Sequence, residues 1–247
     1  MSQLRSDIYH KLSEIIFGFT ARKELCHTYV MLAVKDQAQS LQELFHHGTK
    51  LTYKKGEFVI RPGESPPGVF YIEEGLVRAY DITKYGEENL LVIRKSGEFL
   101  GLTMTITGDD KKIIYQTLTP SALWLIKSED FTAHLTKHPE SALPLVDHLI
   151  EMYRVHSERI LNLEYRSVRE RLISFLLTTA RRFGEENTDG TLIKVPLRHQ
   201  DVASSINSSR ETTTREIAYL ERNHLITNHQ LYFTLTDIDK LQSYLVS

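Results

Sequence analysis

The chain has 247 residues, more than the usual single domain of roughly 100 to 200, so it holds either two modest domains or one large one. A hydrophobic fraction of 41% and a charged fraction of 25% argue against a disordered, collagen-like or membrane-spanning protein. The single cysteine, Cys26, rules out an intramolecular disulfide and leaves a thiolate-held zinc or iron–sulfur centre almost without ligands, as suits a reducing cytoplasm. A formal net charge of −2 gives no global basic field, so any nucleic-acid role must rest on a local surface.

No stretch approaches the roughly 18 uninterrupted apolar residues of a membrane span. The apolar run Ile15 to Phe19 is too short, is followed by Arg22, Lys23 and Glu24, and lacks the parts of a signal peptide, which predicts a cytoplasmic protein. Leu4, Ile8, Leu12, Ile15 and Ile16 stand at helical spacing, and Leu41, Leu44 and Phe45 begin a second helical pattern. Residues 1–47 therefore read as a helical lead-in packed on the next domain, with an effector-binding element as the alternative.

From Leu51 to Ile126 short Val/Ile/Tyr/Leu runs are punctuated by glycines, including Gly56, Gly75, Gly86 and Gly97. That texture predicts an antiparallel barrel or sandwich. Phe58 with Ile60, and Phe70 with Ile72, alternate with polar or small neighbours as half-buried strands do. After Pro139 the period becomes helical. Val146, Leu149, Tyr153, His156, Ile160 and Leu163 are spaced 3, 4, 3, 4, 3, the seam of a coiled coil, which predicts that this helix meets its own symmetry mate. The alternative is a helix lying on the barrel. Val168, Leu172, Phe175, Leu176 and Thr179 mark a further amphipathic helix ending near Phe183-Gly184. Glu185 to Gly190 then reads as a polar loop, and Leu192 to Val195 as a strand stopped by Pro196.

Val202, Ala203 and Ile206 give one short helix an apolar face, Asn207 and Ser208 supply a turn, and Ile217, Leu220 and Ile226 give the next its buried stripe. Two short helices joined by a tight turn are a helix-turn-helix. Ser208 followed by Glu211 fits a capping box opening the second helix. A helix that buries Thr213, Ile217 and Leu220 turns Glu211, Thr214, Arg215 and Ala218 outward, with Arg210 in the exposed first turn. Arginine can donate a bidentate pair to guanine, glutamate can accept from cytosine, and threonine can meet a thymine methyl or a phosphate. The alternative is a solvated helix face. Leu225-Ile226 and Leu231 to Leu235, separated by Thr227 to Gln230, read as a hairpin wing beside the helix pair.

The stretch from Gln200 to Ile226, above all S-S-R-E-T-T-T-R at Ser208 to Arg215 and L-E-R-N-H-L-I at Leu220 to Ile226, resembles the DNA-binding helix-turn-helix of the CRP/FNR family of bacterial transcription regulators. K-G-E-F-V-I-R-P-G-E from Lys55, Y-I-E-E-G-L-V-R from Tyr71 and S-G-E-F-L-G from Ser96 resemble the turns of that family's cyclic-nucleotide domain. The resemblance covers about residues 45 to 240. It implies an α+β chain: a helical lead-in over 1–47, a jelly-roll-like β-roll effector-type domain over 48–138, a long dimerisation helix over 139–166 and a winged helix-turn-helix domain over 167–247. It also implies a homodimer on a palindromic DNA operator with TGTGA-like half-sites. By position Arg210, Glu211 and Arg215 match the base-reading residues, and Thr214 sits where some members read a further base. On the same resemblance Ser208, Ser209, Thr212 and His199 are expected to complete the DNA-contacting set, and RNA polymerase is an expected further partner.

The sequence departs from the family's cyclic-AMP sensors. Leu102 follows Gly101 where those proteins carry a ribose-binding glutamate, and Asp109 to Ile113 replaces the Arg-Ser pair that holds the phosphate. Lys112 supplies a point charge there without the planar guanidinium fork, beside two carboxylates. Gly97, Glu98, Leu102, Lys112 and Tyr153 are the candidate effector pocket, for a small-molecule effector that the residues do not identify. One cysteine is too few for the oxygen sensors' cluster, and Leu51 to Ile126 contains no histidine or cysteine for haem or for a cupin-type metal site. With no catalytic motif elsewhere, the residues point to a regulator, not an enzyme, with no cofactor and no metal; His46-His47 and His199 read as surface residues. A ligand-binding module whose carboxy-terminal domain docks a protein is the alternative. From Ser167 onward ten basic and ten acidic side chains balance, which predicts weak non-specific DNA binding.

Overall fold

The computed structural model describes residues 35–108 and 113–245. Within that span, helix α1 (Lys35–His46) precedes strands β1 (Thr49–Tyr53), β2 (Phe58–Ile60), β3 (Gly68–Glu74), β4 (Leu76–Ile82), β5 (Glu88–Lys95) and β6 (Phe99–Leu100). A short helix α2 (Leu102–Thr107) leads to β7 (Ile114–Thr117) and β8 (Ser121–Lys127). The eight strands form two antiparallel sheets, β1-β8-β3-β6 and β2-β7-β4-β5, the layered roll that the glycine spacing predicts. Gly75 (φ 97°) turns β3 into β4 so tightly that a Cβ there would lie 2.2 Å from Ser121 Oγ.

Strand β3 departs from the half-buried expectation, since Gly68 to Ile72 is buried on both faces. Phe70 and Ile72 fill the roll interior with Val77, Leu100 and Leu123. Val69 and Tyr71 point the other way, into a second apolar cluster with Leu41 and Phe45 of α1 and with Phe131. Period-2 patterning shows only that successive side chains face opposite ways; it does not show that helices cover the second face. The first segment of the predicted lead-in, from Leu4 to Ile16, lies outside the described residues. Its later pattern is present as α1, whose Leu41 and Phe45 are buried.

Helical structure begins before Pro139, at α3 (Ser128–Lys137), and continues through a 3-10 turn (Pro139–Ala142) into the long helix α4 (Leu143–Tyr165). Two faces of α4 have different surroundings, one against the roll and one exposed. Leu145, Met152 and Val155 are buried, the last two within the roll's core. The stripe shifted by one residue, about 100° around the helix, carries Val146, Leu149, Tyr153 and Ile160, all exposed in the single chain. His156 and Leu163 of the same stripe are half-buried.

Chain direction changes at Arg166, and Ser167 caps α5 (Val168–Phe183) in a reciprocal box with Glu170. The segment read as a polar loop is partly a strand: β9 (Gly184–Asn187) pairs with β10 (Gly190–Ile193) across a two-residue turn. All four β9 residues are exposed, and a solvated edge strand carries no apolar alternation to read. Helices α6 (His199–Ser205) and α7 (Arg210–Arg222) come next, then the hairpin β11 (Ile226–His229) and β12 (Tyr232–Leu235) and a last helix α8 (Ile238–Ser243). The hairpin joins the earlier pair in one sheet, β11-β12-β10-β9. Among the described residues no helix is long and apolar enough to cross a membrane.

Candidate nucleic-acid interface

Helices α6 and α7 share one apolar core. Val202, Ile206, Ile217 and Leu220 pack with Leu172 and Leu176 of α5 and with Phe233 of the hairpin, all at most 3% exposed. The turn is made where the sequence places it, with Asn207 in the left-handed region (φ 49°), a conformation that asparagine tolerates. The cap lies one residue later than the Ser208–Glu211 box predicts. Ser208 donates its N–H back to the Ala203 carbonyl, closing α6, and Ser209 adopts the extended cap conformation and accepts from the Thr212 N–H at 3.1 Å. The i,i+3 spacing of Ser208 and Glu211 fits the motif, but the backbone turn uses up Ser208.

From that cap, α7 buries Thr213, Ile217 and Leu220 and exposes Arg210, Glu211, Thr214 and Arg215, with Ala218 half-buried. Arg215 Nη2 donates to Thr212 Oγ1 at 3.1 Å. Other charges nearby are committed: Arg169 of α5 pairs with Glu216 at 2.7 Å while its guanidinium lies 3.5 Å from the Tyr219 ring centre, and Asp201 holds Arg198. His199 is half-buried, bridging Thr214 Oγ1 through Nδ1 and Asn228 Nδ2 through Nε2, each at 3.0 Å. It ties the outer faces of both helices to the wing, a role its isolated place in the sequence does not announce. His46 and His47 are exposed, the former with its ring tilted against that of Trp124.

The helix pair is clamped to the roll. Arg78 of β4 is buried, makes a bidentate pair with Glu88 and reaches Asp201 of α6 at 3.5 Å. Arg159 of α4 donates from Nε to the Ser205 carbonyl at 3.0 Å and from Nη2 to Asn89 Oδ1 at 2.7 Å. Glu98, between β5 and β6, accepts from Arg182 Nη2 of α5 at 2.7 Å, with Arg94 at 3.7 Å. Against these cations lies His148, whose ring meets Phe99 edge-on; burial first, then Arg94 and Arg182, push its pKa down to about 3, so it is neutral.

The residues singled out as an effector pocket are spread apart in chemistry. Glu98 is engaged with Arg182, Leu102 is buried in an apolar cluster with Val69 and Phe99, Tyr153 is 76% exposed on α4, Gly97 sits in a turn at φ 87°, and Lys112 lies outside the described residues. A cleft open to solvent lies elsewhere, between β5, α4, α5 and α6, and none of the described residues of that set lines it. Among the described residues no group of three or more His, Cys, Asp or Glu side chains is placed to hold a metal ion.

Comparison with known proteins agrees with this architecture. Residues 170–244 match the Crp-like helix-turn-helix domain and residues 50–138 match the cyclic nucleotide-binding domain. The chain is 28% identical over 185 residues to the global nitrogen regulator of Synechococcus elongatus, covering 74% of this chain and 83% of that protein. It is 23% identical over 189 residues to the fumarate and nitrate reduction regulatory protein of Vibrio cholerae, covering 75% and 74%. In structure it resembles a mutant of CooA from Carboxydothermus hydrogenoformans, with TM-score 0.69 at 19% identity over 82% of this chain and 89% of that one. It also resembles a CRP/FNR-family regulator from Thermus thermophilus, with TM-score 0.65 at 23% identity over 81% and 99%. A cyclic-nucleotide-type roll, a long helix and a Crp-like helix-turn-helix in this order make the chain a member of the CRP/FNR family of DNA-binding transcription regulators.

Proposed function

We propose that the chain binds a palindromic operator as a homodimer and reads each half-site with Arg210, Glu211, Thr214 and Arg215. The observation that carries this reading is the α7 face: all four side chains are exposed in the first two turns of a capped helix. Arg210 and Arg215 serve as guanine readers, Glu211 as a cytosine acceptor and Thr214 as a thymine or phosphate contact. Ser208, Ser209, Thr212 and His199 serve as contacts to the phosphate backbone, where the helix N-terminus adds its own partial positive charge. The exposed stripe from Val146 to Ile160, continued by His156 and Leu163, is the dimer seam. It sets two recognition helices about 34–36 Å apart, one turn of duplex.

The roll, the long helix and the winged helix pair are the functional units, the protein works in the cytoplasm, and it carries out no reaction of its own. RNA polymerase is the partner at the promoter. Regulation follows if a ligand favours one arrangement of roll and helix pair over another.

The test is selection of bound fragments from a pool of DNA duplexes, followed by Arg210→Ala on the selected operator. The variant should lose about 1–3 kcal/mol there and accept other bases at its position. Equal weakening on random DNA would reduce Arg210 to a phosphate contact.

A further inference from the structure

The cleft between β5, α4, α5 and α6 is open to solvent and lined mostly by apolar surface, with a few polar groups among it, as small-molecule sites are. Val92, Val155, Phe175 and Ile206 give it apolar walls; Arg182, held by Glu98, lines it, as do two further arginines, Arg159 and Arg171. Among the described residues neither arginine is paired with a carboxylate. Arg159 bonds only to neutral oxygens, of Ser205 and Asn89. The Arg171 Nε is buried without a partner, and its Nη2 makes a single long contact of 3.5 Å with the Asn207 carbonyl. Burial alone pushes the Arg159 guanidinium below its ordinary range. Burying a cation without a counter-ion is unfavourable, and elsewhere the chain avoids it: Arg78, Arg182 and Arg169 each hold a carboxylate. The fork shape of two guanidiniums suits a carboxylate oxygen pair. Glu158 also borders the cleft, taken up by Arg181 and Thr178, and its charge disfavours a guest with several negative charges.

We propose that this cleft binds a monocarboxylate carried on an apolar body, with the carboxylate between Arg159 and Arg171 and the body against Val92, Val155, Phe175 and Ile206. Its walls come from the roll, from the long helix and from the two helices that carry the recognition helix, so an occupant bears on how those parts are arranged. Occupancy therefore shifts operator affinity. That consequence rests on the proposed DNA binding; the site itself does not.

Octanoate is the probe, and octanamide, the same chain without the charge, is its control. Calorimetric titration of the full-length protein should show one saturable octanoate site per chain, with octanamide bound at least about tenfold more weakly. Arg171→Gln, which gives up only the long Asn207 contact, should bring octanoate down to the level of octanamide while the thermal melt stays unchanged. Arg159→Gln should do the same, with some loss of stability because it also releases Ser205. No saturation at millimolar octanoate, equal binding of octanoate and octanamide, or wild-type octanoate affinity in Arg171→Gln overturns the site. Saturating octanoate should then change operator affinity at least threefold, and no change overturns the regulatory half. The titration uses no DNA, so a protein that binds octanoate but no operator refutes the DNA reading alone, and one that binds operator but no octanoate refutes the cleft alone.

Discussion

Replacing Glu98 by alanine probes how the roll is joined to the DNA-binding half. The Glu98 side chain is 10% exposed and faces two cations, Arg182 at 2.7 Å and Arg94 at 3.7 Å, themselves 5% and 11% exposed. Breaking a buried pair by removing one partner costs about 3–5 kcal/mol, because the remaining charge has neither water nor counter-ion. Here two cations lose their carboxylate, but Arg182 keeps Glu151 at 3.8 Å. The expected loss is therefore at the lower end, about 3 kcal/mol. Urea unfolding followed by circular dichroism at neutral pH measures it. Converting Glu98, Arg94 and Arg182 together to methionine removes the uncompensated charge and should recover most of the loss, since well-packed apolar replacements of buried ion pairs are often neutral or better. A loss below about 1 kcal/mol would show that the pair behaves as a solvated surface bridge. A triple variant no more stable than Glu98→Ala would show that lost packing, not stranded charge, is the cause.

Ile160→Glu places a charge in the exposed stripe of α4, where Ile160 is 62% exposed in the single chain, so it should leave each chain folded and halve the sedimenting mass; an unchanged mass would remove the seam. His148 makes acid stability testable. Its folded pKa of about 3 lies below the ordinary 6.5, so between those values the unfolded chain binds a proton that the folded one refuses. Stability is complete above pH 6.5 and falls as the pH drops toward 3, by at most about 1.4 kcal/mol per pH unit from this group. Half-buried His156, lowered by burial and by Arg94, Arg159 and Arg182, acts in the same direction. His148→Leu should flatten the difference between urea midpoints measured near neutral pH and near pH 5; an unflattened slope would assign the acid sensitivity to other groups.

Local periodicity carried much of the architecture. Alternation and glycine spacing mark a roll because side chains in a strand change face every residue, and the apolar stripes of α4 to α7 mark helices because their faces repeat every three or four residues. The exposed arginines of α7 follow from the burial of Thr213, Ile217 and Leu220 on the same helix, an argument of angle alone. What fails is where a segment has no apolar face to display, as in β9, or where one serine satisfies two motifs, as Ser208 does before the backbone gives the cap to Ser209.

The order of parts, the helix-turn-helix and its outward side chains are legible in the residues alone, since each is written in positions close together along the chain. The second covered face of β3 and the use of Glu98 as a bridge to Arg182, 84 positions away, come from the packing of distant segments. The same holds for the meeting of Arg159 and Arg171 in one cleft. A charge in a sequence carries no sign of whether water or a distant partner will surround it. That environment is set when separate segments pack, and it fixes whether the charge is solvated, paired or left for a ligand.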